Sequence, residues 1–454
     1  MAKREISRRD FVRLSCCSAA GAALASGMGR FGLVNAYAQS SPQYRALVCI
    51  FLFGGNDGNN TVIPFSTAGY QQYATARTGM ALAQNTLLPI TAKTGNVPYA
   101  FHPQMAGLQS LFNSGQLALV ANVGTLVKPI TQAQYQAGAS VPASLFSHSD
   151  QQAQWQTSIP NSSATSGWAG RAADKTQGLN VGAKLPTVLS VAGANIFTTG
   201  LVTRPAAVSP GNTSGFAGFS NSAGSVARYS TMQELLTFDS GVSLIQAAST
   251  ITGYAFADST ALANALATGT PLKTTFPTTS LGSQLKQVAQ ILQVRGALSI
   301  NRQIFFCSLG GFDTHSNQLA DQSNLLGQLS AAMSAFYNAM VELNISSQVT
   351  TFTLSEFSRT LQESSGAGTD HAWGNHHLVM GGAVHGGDLY GTFPTLVLGG
   401  PDDTGTRGRW IPTTALDQYA ATLASWFGVA DADLQPYVFP DLANFAAMKL
   451  SFMG

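Results

Sequence analysis

Charge is sparse in this 454-residue chain: 10% of its residues are Asp, Glu, Lys or Arg, against 45% hydrophobic. So sparse a set excludes a nucleic-acid footprint and a polybasic membrane surface, both of which need clustered Lys and Arg. Cysteine is scarce as well, limited to Cys16, Cys17, Cys49 and Cys307. There is no Cys-x-x-Cys-His haem attachment, no cluster-binding cysteine set and no dinucleotide glycine fingerprint after the first strand-like run, so nothing supports a redox protein. Cys49 and Cys307 lie inside apolar runs, ALVCIFLF and IFFCSL. They read as two buried free thiols. Long apolar runs are missing too: the longest candidate, Leu14 to Met28, is diluted by Gly21, Ser26 and Gly27. It falls short of the ~18 uninterrupted apolar residues of a span, so no permanent membrane anchor is expected.

That same run belongs to a different pattern. Ser7-Arg8-Arg9-Asp10-Phe11 is a twin-arginine start, the weakly apolar stretch follows, and Ala36-Tyr37-Ala38 is a small-residue cleavage site. Residues 1–38 therefore read as a twin-arginine signal peptide, which makes the Tat translocase a partner during export and the mature chain a periplasmic or secreted protein. The signal carries Lys3, Arg4, Arg8, Arg9, Arg13 and Arg30 against Glu5 and Asp10. Subtracting its +4 from the chain's +2 leaves the mature part at −2.

Within residues 39–454, short β-branched and aromatic runs end abruptly in Gly, Asp or Ser. They are Ala46 to Phe53, Leu117 to Val123, Ile304 to Leu309, Thr351 to Leu354 and Leu396 to Leu398. Runs of this kind are what strands buried on both faces look like. Helical spacing lies between them, at Met105 to Phe112, Asn324 to Leu343 and Thr414 to Phe427, the last ending at Gly428. The alternation predicts one α/β domain: a doubly wound, mainly parallel sheet with helices on both faces. The Ser-, Thr-, Gly- and Ala-rich stretch at about 161–279 reads as an insertion or cap. It holds strand-like PTVLSVAG and helical segments around Thr231 to Ala248 and Thr260 to Ala267.

In such a sheet, ligands bind beyond the carboxyl ends of the strands. The polar clusters that follow the runs would meet there. Histidine marks the place: of seven, at 102, 148, 315, 371, 376, 377 and 385, five fall between His315 and His385. Asp313-Thr314-His315 follows the Ile304 run through a Gly-Gly-Phe turn, and Asp370-His371 repeats the same carboxylate–imidazole chemistry. Mixed nitrogen and oxygen ligation suits zinc or manganese better than calcium. Asp57, after the Ala46 run in GGNDGNN, is a third candidate ligand; a turn-forming Asn-Asp-Gly is its structural alternative. His376 and His377 begin the HHLVMGG run and, being adjacent on a strand, cannot both face one cation. Ser147, before the helical QQAQWQT, is a candidate nucleophile or a helix N-cap, with Thr125 as runner-up. Glu356 and Arg359 in SEFSRT could supply a carboxylate near a metal and a clamp for an oxyanion, or pair with each other.

The segments GGNDGNN, FSHSDQQAQWQ, GGFDTHSNQ, LSEFSRT and GTDHAWGNHHLVMGGAVHGGDLYG resemble the domain-of-unknown-function 1501 family. Its members resemble sulfatases and the alkaline phosphatase superfamily, and the likeness runs from about Tyr44 to the final DLANF. The resemblance implies an alkaline phosphatase-like fold with one or two divalent metal ions at the strand ends. By position, Asp57, Asp370 and His371 would hold one ion, and Asp313 and His315 the other together with His376, His377 or His385. The Cys/Ser-x-Pro-x-Arg motif of formylglycine sulfatases is absent around Ser147.

Two functions are then expected from the sequence. The first is a metal-dependent periplasmic hydrolase of phosphate or sulfate esters, acting on a small-molecule or polymer-borne substrate, with Ser147 attacking and Arg359 holding the oxyanion. The alternative is a non-catalytic exported protein that keeps the fold and serves envelope or surface-polymer assembly.

Overall fold

The computed structural model describes residues 43–161, 164–211, 220, 222–239 and 241–454. The expected export signal at 1–38 lies outside the described residues. Among the described residues twelve strands form two sheets. They are β1 (Arg45–Phe53), β2 (Val62–Pro64), β3 (Leu88–Ala92), β4 (Val97–Phe101), β5 (Leu117–Gly124), β6 (Val188–Ser190), β7 (Ala206–Ala207), β8 (Arg302–Gly310), β9 (Val349–Leu354), β10 (Asn375–Met380), β11 (Leu389–Tyr390) and β12 (Thr414–Ala415). The main sheet has nine strands in the order β11-β5-β10-β9-β1-β8-β6-β7, with β12 also on β5. Its pairs are parallel except at β10, which runs antiparallel to both β5 and β9. A small antiparallel sheet, β2-β4-β3, stands apart.

β1 shows why the frame is built this way. Its residues alternate between two cores: Ala46, Val48, Ile50 and Leu52 enter one, while Leu47, Cys49 and Phe51 enter the other. A strand buried on both faces needs apolar residues at every position, which is why the run is continuous. The first core is closed by helices α1 (Ala106–Asn113), α6 (Ser280–Gln293) and α7 (Gln318–Glu342), through Leu108, Leu285, Leu292, Leu329 and Phe336. The second is closed by α2 (His148–Thr157), α3 (Trp168–Thr176) and α8 (Leu416–Phe427), through Trp155, Trp168, Tyr419 and Leu423. α8 ends where expected, at Gly428, whose φ of 120° closes the helix in the left-handed region. The protein is therefore a doubly wound α/β structure with a mainly parallel sheet. Cys49 and Cys307 are free, buried thiols, one in each core.

Three details differ from the sequence reading. Leu396–Leu398 is not a strand: Leu396 has φ 58°, Val397 is exposed, and the following chain is wound around Asp403. That buried carboxylate accepts from the backbone N–H groups of Gly399, Gly405, Gly408 and Arg409, so the local carboxylate rather than a sheet partner organises the backbone. The stretch at about 161–279 is divided. β6 joins the main sheet beside β8 and α3 packs into its core, whereas α4 (Ala223–Thr237) and α5 (Ser243–Leu266) bury few residues. Finally, α7 starts at Gln318, before the first residue of the expected helical spacing.

β10 carries His376 and His377 on opposite faces. The His376 ring stacks on Phe393 at 4.5 Å and its Nδ1 accepts the Asn122 backbone N–H at 3.1 Å. His377 stacks on Tyr419 at 5.7 Å and meets Trp155 at 4.9 Å. Burial holds both rings neutral, pushing each pKa from 6.5 down to about 3. Because the folded values lie below the unfolded one, this contribution to stability is full above pH 6.5 and is lost as the pH falls toward 3. We expect His377→Phe to lose less stability than the wild type between pH 7 and pH 4 in urea titrations. Equal losses would show that His377 is not a neutral core residue.

Candidate metal centre

The loops leaving β1, β8 and β9 are laced together at one edge of the sheet. Gly54 and Gly55 follow β1 with φ of 115° and 82°. A Cβ on Gly54 would lie 2.3 Å from the backbone nitrogen of Asp313, so only glycine lets the two loops touch. The Phe312 N–H donates to the Phe53 carbonyl at 3.1 Å, and the Ser355 hydroxyl donates to Leu52 O at 2.8 Å while accepting from Asn56 N at 2.9 Å. These contacts fix Asp313 beside Glu356 and Arg359. Because β10 is antiparallel, the chain that enters it reaches the same edge and brings His371. The loop before α2 adds Phe146 and His148.

The side chains converge on the Asp313 carboxylate. Its Oδ1 lies 2.6 Å from Arg359 Nη2, 3.0 Å from His315 Nε2 and 3.2 Å from His371 Nε2, and its Oδ2 lies 3.4 Å from His148 Nε2. His315 and His371 also face each other through their Nε2 atoms at 3.0 Å. Ligand atoms of His148, Asp313 and His371 all fall within 4.8 Å of one another.

Two of the imidazoles are oriented from behind. His371 Nδ1 contacts the Phe146 carbonyl oxygen at 2.7 Å, and His148 Nδ1 contacts Glu356 Oε1 at 2.9 Å. An Nδ1–H donated to an oxygen leaves the Nε2 lone pair facing forward, the arrangement used by metal-binding histidines. Glu356 is fully buried, and the same oxygen accepts from Gly54 N at 2.8 Å and from Gln152 Nε2 at 2.9 Å. Ring packing limits rotation further: His371 stacks on Phe357 at 4.5 Å and meets His148 at 4.5 Å.

The electrostatics follow from these contacts. The hydrogen bond to Glu356 raises the His148 pKa against the cost of burial. Burial lowers that of His371, and the nearby Arg359 charge adds to the effect. Burial would raise the Asp313 carboxyl, but the Arg359 charge and the hydrogen bonds from His371 and Arg359 outweigh it and hold the pKa below the ordinary value. His148 Nε2 is buried and has no hydrogen-bond partner, yet it faces a carboxylate oxygen. A lone pair aimed at an anionic oxygen, and two imidazole nitrogens aimed at each other, need positive charge between them. A divalent cation fits this donor set, as do protons on the rings.

The remaining expected residues lie elsewhere or serve otherwise. Asp57 is not among the converging groups. It is buried in an ion pair with Arg77, accepts from Gln318 Nε2 and Asn59 N, and caps the short helical turn Gly58–Thr61. A guanidinium thus stands where a cation was expected. Asp370 is paired with Arg407, and its Oδ1 comes no nearer to His315 Nδ1 than 3.7 Å, which places it at the rim. His376 and His377 are core residues, and His385 contacts the Ser451 carbonyl, so none of the three reaches the cluster. Ser147 stands at the N-cap position of α2, but its hydroxyl donates to Asp150 Oδ2 at 2.6 Å rather than to any converging group. Thr125 Oγ1 accepts from Gln151. Arg359 is fully buried and spends its N–H groups on Asp313 and on the Phe312 and Thr369 carbonyls, so it holds Asp313 in place. His148, which the expected ligand set lacks, joins the converging groups, although one of only seven histidines standing at the start of a helix is a usable signal.

Comparison of the sequence with curated proteins gives no match. Among solved structures, the lipoteichoic acid synthase LtaP from Listeria monocytogenes is similar at 8% identity and a TM-score of 0.34, over 89% of this chain and 76% of that one. Ps i-CgsB is similar at 7% identity and a TM-score of 0.36, over 86% of this chain and 74% of that one. The same protein in complex with k-i-k-neocarrahexaose gives 8% and 0.35 over the same shares. A family model described as "Protein of unknown function (DUF1501)" matches residues 44–400, and the chain belongs to that family.

Proposed function

We propose that the protein is a hydrolase of phosphate or sulfate esters that depends on a divalent cation, zinc or manganese, held by His148, Asp313 and His371. The reading includes export through the twin-arginine route and a small-molecule or polymer-borne ester met outside the cytoplasm. Among the described residues no helix is long and apolar enough to cross a membrane. The observation that carries the proposal is the forward-facing Nε2 of His148 and His371 around one carboxylate, each ring fixed by an oxygen behind it. Two nitrogens and one oxygen suit zinc or manganese better than calcium. Asp57 is neutralised by Arg77, so the support is for one cation rather than two.

When bound, such a cation supplies Lewis acidity toward the ester and toward water. The chain's own residues do the rest. Arg359 fixes Asp313, and Glu356 and the Phe146 carbonyl fix the two rings. His315, half exposed, borders the same set, its Nε2 lying 3.0 Å from Asp313 Oδ1 and from His371 Nε2. Anion recognition falls to Arg409. Its Nε donates to the His371 carbonyl at 2.9 Å and its guanidinium lies 4.7 Å over the Phe146 ring. Its two Nη groups have no partner among the described residues, which leaves a fork suited to two oxygens of a tetrahedral anion.

Elemental analysis of protein purified without chelator, paired with turnover of aryl phosphate and aryl sulfate, tests the reading. Stoichiometric metal is expected, with at least a tenfold loss in His148→Ala and His371→Ala and parallel loss of turnover. Asp57→Asn and His377→Phe should keep their metal. A metal-free wild type that cleaves neither ester would sink the proposal and favour the non-catalytic alternative. For Arg409→Gln, loss of a charge-assisted contact worth about 1.5–3 kcal/mol predicts a KM raised roughly 10–100-fold at unchanged metal content. An unaltered KM would remove Arg409 from substrate recognition.

A further inference from the structure

Helices α4 and α5 are poorly buried for their composition. The two are packed against each other, with Tyr229 meeting Phe256 edge-on at 6.0 Å. Yet α4 buries only Ser225, and α5 buries only Asp258, Leu262 and Ala265 along its 24 residues. Much of what faces solvent is apolar: Leu235 is 64% exposed, Phe238 68%, Leu244 78% and Ile251 69%, with Ile245 and Tyr254 also exposed. Leu244, Ala248, Ile251 and Ala255 follow the spacing of one helix face and lie exposed together. A pair of amphipathic helices ordinarily hides such a face against another layer. Here nothing in the described chain covers it.

We infer that this helical pair is a self-association surface, on which the α4–α5 pair of a second copy packs to give a four-helix bundle. Three observations support that occupant. First, at about 150–250 Å² for a large side chain, the six exposed residues present on the order of 700 Å², close to the ~800 Å² that each partner gives to a standard interface. Second, no Lys or Arg occurs from Thr231 to Leu266. Arg228 is the one basic residue of the pair, so an anionic lipid surface would find a single counter-charge in place of the basic cluster it recruits. Third, the acids there are Glu234, Asp239 and Asp258, and Asp258 is already paired with Arg204. A twofold contact through the Ile251 face brings almost no like charge together.

Sedimentation equilibrium of the purified protein at micromolar concentration tests the inference. The wild type should give twice the mass of one chain. Leu244→Glu/Ile251→Glu should give the mass of one chain, a dissociation constant raised at least 100-fold, and an unchanged far-UV circular dichroism spectrum and melting temperature. Val181→Glu, an equally exposed apolar site outside the pair, should leave the dimer intact. A wild type that stays at the mass of one chain, or a double variant that stays dimeric, overturns the inference. So does a one-chain wild type that binds phosphatidylcholine vesicles through this face, which would assign it to lipid.

Discussion

The ion pair between Arg359 and Asp313 is the contact on which the rest of the site depends. Arg359 is fully buried, and a guanidinium taken out of water must meet an anion or a set of carbonyls. Asp313 provides the anion, the Phe312 and Thr369 carbonyls provide the rest, and the carboxylate is thereby held at one position. Only a fixed carboxylate can be met from three sides by His148, His315 and His371. A second buried pair, Asp57 with Arg77, joins loops at the same sheet edge. There Arg77 also donates to the Thr360 and Leu361 carbonyls, tying the loop after β1 to the loop after β9. One pair sets the position of the converging side chains and the other braces the loops that carry them.

The frame was readable because its physics is local. Apolar runs ending in glycine or serine gave β1, β5, β8 and β9, and the run at Leu396 misled only because three apolar residues are too few to distinguish a strand from an apolar turn. Asp313, His315 and His371 were legible as a cluster because scarce residue types recur at strand ends. The partition of roles was not. Whether Asp57 meets a cation or an arginine depends on Arg77, twenty positions away in a helix with no chemical motif around it. Whether His376 and His377 bind or pack depends on Phe393, Tyr419 and Trp155 closing over them. His148 was obscured by its neighbour: Ser147 drew attention as a nucleophile, while the adjacent imidazole was the group aimed at Asp313.

Glycine acts here by permitting contact rather than by adding flexibility. Gly54 lets the loop after β1 lie against Phe312 and Asp313, and its own N–H donates to Glu356, the carboxylate behind His148. A single position thus supports two of the converging side chains, one by absence of a side chain and one by its backbone donor.

The reversed strand β10 gives the site an unequal ancestry in the chain. Residues 355–374 leave β9 and enter β10 at the same sheet edge, so Glu356, Arg359, Asp370 and His371 ride on one local excursion between neighbouring strands. Contacts close in sequence need little loop closure, and this half of the centre can assemble with its own strand pair. Asp313, His315 and His148 arrive from far segments, and their placement waits on the docking of β8 beside β1 and of α2 over the edge. The converging set is thus complete only with β8 beside β1 and α2 over the edge, so its integrity reports on long-range packing that the β9–β10 excursion alone does not need.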